Sequence, residues 1–133
     1  MAITLDAAMK ALDAARTKAA DEGIRVAATI VDDGGHIVAT HRMDGAYLSA
    51  VTIANTKAFS AVNFRVPTAA MAERLSDMDY QALICLADTR LTFLGGGVPL
   101  ADESGTVIGA IGVSGGSAQQ DVLCCEAALA TLG

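Results

Sequence analysis

Lys57 lies in the segment "ANTKAFSA", and helical spacing places it among Ala50, Ile53, Ala54, Ala58, Ala61 and Phe64. An ammonium in that stripe of mostly small residues loses hydration unless it snorkels out, pairs with an acid such as Asp44 or Asp121, or meets an anionic ligand. Desolvated, the same amine could serve as a base or a Schiff-base nucleophile. His36 and His41 are five positions apart, so on one strand they point to opposite faces and cannot chelate one metal together. His41 shares its face with Ile37, Ala39 and Met43, which makes it the better-buried ring and a candidate proton carrier or ligand.

Arg42 follows on the other face, where it pairs with Asp44 or offers a planar fork to a carboxylate. Asn63, Arg65 and Thr68 surround the helix break at Pro67 and could line one cleft, while Gly95, Gly96 and Gly97 could admit a ligand close to the backbone. The candidate catalytic residues are therefore Lys57 and His41. The candidate ligand contacts are Arg42, Lys57, Arg65, Thr68, Gly96 and Gly97. Ser114 precedes a turn as a nucleophile might, but no GxSxG surrounds it and His41 is its only plausible base. No cluster of cysteines or carboxylates completes a zinc site, and no bound metal is expected.

The glycine-rich stretch "IGAIGVSGGSAQQD" invites a phosphate-loop reading. It lacks the terminal GKS or GKT, and Gly109, Gly112 and Gly115 repeat every third residue, unlike GxGxxG. A strand, a turn and a helix start account for it better. Val107, Gly109, Ile111 and Val113 should share one strand face, with Ile108, Ala110 and Gly112 on the other. Gly115 and Gly116 then make the turn, and Ser117 with Gln120 forms a capping box.

The elements that must position these groups follow from periodicity. Residues 4–22 read as a helix capped by Thr4 and stopped by Gly23. "IRVAATIVDDGGHIVATHRM" reads as a β-hairpin turning at Asp33, Gly34 and Gly35. Residues 48–65 form a helix ended by Pro67, and a short helix runs from Thr68 through Leu75. Residues 77–90 fit either a helical turn or a buried strand. "RLTFL", "GVPLA" and "GTVIGAIGVS" read as three strands separated by turns, and 117–132 as an apolar helix. This order predicts an α+β fold, an antiparallel sheet with helices packed on it.

A length of 133 residues predicts one domain, 1–133, with one core. Hydrophobic residues at 53% against 18% charged exclude a disordered chain. A mean hydropathy of +0.44 is high for so small a surface, so partner subunits should cover part of it. No apolar run approaches the roughly 20 residues of a spanning helix, and no basic, apolar leader is present, so the expected location is the cytoplasm. Three cysteines without a CxxC pair fit buried thiols in that reducing compartment. The net charge of −6 argues against nucleic acid.

The pieces "TIVDDGG", "HRMDGA", "ANTKAFSA", "VPT", "GGGVPL" and "IGAIGVSGG" followed by "QD" occur in order over residues 24–121. Jointly they resemble the GlcG/HbpS family, which includes the C-terminal domain of PduO-type proteins. The resemblance implies a five-stranded antiparallel sheet flanked by helices, as in profilin or roadblock folds, and assembly into homo-oligomers higher than a dimer. It also implies a small-molecule role: relatives bind haem, and others are linked to corrinoid or glycolate metabolism. A histidine of the first helix is one axial ligand the resemblance implies, and residues 4–22 contain none. Three functions remain open: binding haem or another anionic organic molecule; cofactor-independent isomerase, lyase or hydrolase chemistry on a small carbonyl acid; and a structural assembly module. In the second, Arg42 holds the substrate carboxylate while Lys57 or His41 moves a proton.

Overall fold

Thr4 begins the first helix, its hydroxyl accepting the Ala7 amide at 3.2 Å. In this computed structural model, which describes residues 2–132, α1 covers Leu5–Asp21 and buries Ala8, Ala11, Leu12, Ala15 and Ala19. These recur at three- and four-residue steps, so one helix face packs while charged residues face outward. Gly23, at φ +71°, takes the left-handed stop. The hairpin follows as β1 (Ala27–Asp32) and β2 (Ile37–Arg42). The Asp32 carboxylate closes its turn by accepting the amides of Gly34 and His36 at 3.0 and 2.9 Å.

The remaining elements are α2 (Ala50–Phe64), α3 (Thr68–Arg74), α4 (Met78–Ala87), β3 (Gly97–Ala101), β4 (Val107–Ser114) and α5 (Ala118–Leu129). Among the described residues the sheet is antiparallel with order β2-β1-β4-β3. Helices α1 and α5 cover one face, where Ala28, Ile30, Val98, Leu100, Ile111 and Val113 meet Leu12, Ala15 and Cys124. Helix α2 covers the other, with Ala58, Ala61 and Val62 on Val31 and Ala110.

The glycines of β4 set how closely α2 can approach. A Cβ at Gly112 would overlap the Ala54 carbonyl and lie 2.5 Å from the Ala58 amide, so only a bare α-carbon fits beneath the helix. The stretch is thus a strand, a turn and a helix. Ser117 caps α5 through Gln120, and Gln120 answers back to the Ser117 amide.

Two expectations change, and one open reading is resolved. The sheet has four strands, because "RLTFL" does not join it. The Thr92 amide donates instead to Ser60 Oγ at 2.8 Å, and the Leu94 carbonyl accepts from Thr68 at 2.6 Å. Phe93 also stacks on Phe64, with ring centroids 5.7 Å apart, so side chains of α2 and α3 absorb this segment's bonding capacity. Val107 does not share the face of Ile111 and Val113. The β3–β4 register shifts between Leu100 and Ala101, skipping Ile108, and this turns Val107 toward α2. Of the two readings open for residues 77–90 the helix holds, as α4 over Met78–Ala87, and it buries none of its residues.

Candidate functional site

Lys57 reaches the sheet because the α2 residues around it are too small to hold the helix away. Its neighbours Ala54, Ala58 and Ala61 are fully buried, and Lys57 itself is only 4% exposed. Its Nζ donates to the Val113 carbonyl at 2.8 Å and to Asp121 Oδ2 at 3.0 Å. Asp121, 2% exposed in the first turn of α5, accepts the Gly116 amide on its other oxygen at 2.9 Å. Burial pushes the Asp121 carboxyl above the usual carboxylate range, and Lys57 with the Gly116 amide only partly opposes this.

An ammonium has three N–H donors. Two of those on Lys57 take acceptors among the described residues. Lys57 also lines a cleft of about 230 Å³, with Ser114 and Asp121 beside it and Ile53, Leu94 and Ala118 as apolar walls. Ser114 is 7% exposed, and its hydroxyl takes no partner among the described residues.

Three predicted ligand contacts shape this cleft from behind. Thr68 Oγ1 donates to the Leu94 carbonyl and accepts the Gly97 amide at 3.1 Å, stapling the glycine run to α3. Gly96 sits at φ +114°, and a Cβ on Gly97 would overlap the Lys57 carbonyl. Cys125 donates to the Gly96 carbonyl at 3.3 Å from a site where burial holds its thiol far up, and the Cys124 thiol is pushed up to about 11. Neither thiol is poised to become a thiolate nucleophile or ligand.

His41 and Arg42 lie elsewhere. His41 projects to the α1 side of β2, where its Nε2 lies 3.2 Å from the Leu12 carbonyl. That bond places the ring proton on Nε2 and leaves the Nδ1 lone pair available. With Arg42 it lines an open cleft of about 380 Å³ shared with Asp13, Arg16, Arg25 and Asp44. Arg16 pairs with Asp13 at 2.8 Å, and Arg25 donates to the Asp44 carbonyl at 2.9 Å. Arg25, not Arg42, is thus the partner of residue 44. Arg16 and Arg25 escaped sequence reasoning, although the hairpin register, Ala27 opposite Arg42, brings residues 25 and 44 together.

The sheet therefore separates His41 from Lys57 and from Ser114. Arg65 ends α2 in the left-handed conformation at φ 59°, exposed, and lines neither cleft. His36 is exposed in the hairpin turn beside Asp32, and Asn63 bonds back to the Phe59 carbonyl at 2.8 Å. Among the described residues no group of three histidines, cysteines or carboxylates is arranged to hold a metal ion.

Comparison with known proteins places this framework. A family model described as haem degrading protein HbpS-like matches residues 3–130. The chain belongs to the HbpS-like family. A Citrobacter freundii relative, an uncharacterized 15.0 kDa protein of the dhaT-dhaS intergenic region, is 36% identical over 128 residues, spanning 96% of this chain and 89% of the relative. The crystal structure of a double mutant of Streptomyces reticuli HbpS superposes with a TM-score of 0.89 at 36% identity, covering 100% of this chain and 88% of that one. A crystal structure of a PduOC:heme complex superposes at 0.91 with 27% identity, covering 100% and 96%. No helix among the described residues is long and apolar enough to cross a membrane.

Proposed function

We propose that this HbpS-like chain binds an anionic organic molecule, with haem the member of that class best supported by the family, in the arginine-lined cleft at the end of β2. The supporting observation is His41 with Nε2 on the Leu12 carbonyl, beside Arg16, Arg25 and Arg42. A metal-ligating imidazole commonly donates its other N–H to a backbone carbonyl, which orients the ring. Guanidinium forks suit propionate carboxylates. The donor set fits haem here, whereas the Lys57 cleft has no histidine, methionine, cysteine or tyrosine on its lining. Bound haem would supply iron-centred redox chemistry. His41 would hold the iron, and the arginines would orient the macrocycle by its acidic edge.

Haemin titration tests this reading. The expected result is a saturable Soret shift at one haemin per chain, weakened in both His41→Ala and Arg42→Ala. No shift, or one unchanged in both variants, overturns it.

We also propose that the protein is cytoplasmic and that it assembles into a homo-oligomer. Supporting it, Met78, Leu83 and Leu86 of α4 are 80%, 63% and 76% exposed, and another subunit would cover them. Native mass spectrometry should find an assembly above a dimer; a monomer at micromolar concentration refutes this part.

A further inference from the structure

Between α2 and the start of α5, away from His41, the side-chain hydrogen-bonding groups left over around Lys57 are donors. The third N–H of Lys57 and the Ser114 hydroxyl have no partners among the described residues, although their residues are 4% and 7% exposed. The first amides of α5 have no intrahelical acceptor, and Ala118 forms part of the same wall. Ser117 is occupied by the capping box, and both Asp121 oxygens already accept bonds from Lys57 and Gly116. What these two buried side-chain donors lack is an acceptor.

The available space limits its size. About 230 Å³ is below the roughly 300–1,000 Å³ of pockets for drug-sized ligands. Ile53 and Leu94 give the walls an apolar character that suits a short carbon chain. Asp121 binds Lys57 through one oxygen and sits within the lining, so a second carboxylate on the ligand would meet like charge. These constraints together favour one negative group on a small apolar stem.

We infer that the cleft formed by Lys57, Ser114 and the start of α5 is a binding site for a short monocarboxylate, separate from the arginine-lined cleft. The carboxylate would take the free Lys57 N–H and the Ser114 hydroxyl, with the helix start adding its positive dipole end. Lys57 acts here as a positioned donor, held by Asp121 at 3.0 Å and the Val113 carbonyl at 2.8 Å.

The test is amide-resolved NMR titration of the full chain with sodium propionate, with propionamide and sodium chloride as controls. Propionate should shift the Ser114, Gly116 and Ala118 amides saturably, and neither control should. Ser114→Ala removes one donor without disturbing the ion pair, and should weaken binding about ten- to a hundredfold, the effect of losing one hydrogen bond to a charged group. His41→Ala should leave propionate binding unchanged, and Ser114→Ala should leave haemin binding unchanged, so each site can fail alone. Equal shifts from a control, no saturation, shifts centred on His41, or an unaltered affinity in Ser114→Ala would overturn the inference.

Discussion

The two clefts are separate and handle positive charge in opposite ways. The arginine-lined cleft spreads three guanidinium groups over an exposed rim, two of them tied to Asp13 and to the Asp44 carbonyl. The Lys57 cleft uses one ammonium, 4% exposed, held by a carboxylate and a carbonyl. Exposed pairs are screened by water and salt and contribute little each. A buried pair costs desolvation, and leaving either partner alone is more costly still. One region can therefore lose a charge and stay folded. The other cannot.

The largest expected effect tests that contrast directly. Asp121→Ala should destabilise the fold by about 3–5 kcal/mol, because it strands Lys57 in the interior. Replacing both partners, as in Lys57→Met with Asp121→Leu, should recover most of that loss, since an apolar pair needs no hydration. Urea unfolding of the single and double variants measures both. Additive losses in the double variant would show that the two groups are not coupled.

Thr68→Val comes next. It removes the hydroxyl that serves the Leu94 carbonyl and the Gly97 amide, and should cost about 1–3 kcal/mol by leaving buried groups unsatisfied. Equilibrium unfolding checks this, and the loosened wall should broaden NMR signals around Gly95 while those around His41 stay sharp. In the exposed cleft, Arg42→Ala should leave stability within about 0.5 kcal/mol of the parent. Its haemin affinity should fall about two- to fivefold, the worth of one exposed ion pair, with the difference shrinking as salt is raised. A salt-independent loss would mean that Arg42 is far less hydrated than its position indicates.

The smallest effect concerns pH and separates exposed from buried carboxylates. The Asp102 carboxyl is held below the usual range by the Ser104 hydroxyl and the Thr106 amide. Its contribution is present above the ordinary carboxylate value of 3.8 and is lost as pH falls through the lower folded value. Asp121, raised by burial, has the opposite sign: its contribution is fullest below 3.8 and declines as pH rises toward the folded value. Comparing the acid limb of thermal melts for the parent and Asp102→Asn should reveal a shallower slope in the variant.

Much of the framework was readable from local rules. Alanine steps of three and four announced α1 and α2, the Asp-Asp-Gly-Gly run announced the hairpin, and Ser117 with Gln120 announced the start of α5. The segment after Arg90 misled because its β-rich composition describes a fit to a half-buried surface, and here that surface is α2 and α3. The flip of Val107 was invisible because a one-residue register shift leaves no mark in composition. The candidate residues were individually noticeable, yet nothing in their spacing assigned them to opposite sides of a sheet.

By itself the amino-acid sequence put Lys57 in the packing stripe of α2, amid small side chains, where it had to snorkel, pair with an acid or meet an anion. It also marked out β4 and α5 as a strand and a helix. Only the tertiary structure decided that Asp121, 64 residues on, would be the counter-charge, and that His41 would share a cleft with arginines instead. Helix and strand periods arise from bonds between near neighbours, whereas a pairing across the fold depends on where whole layers come to rest.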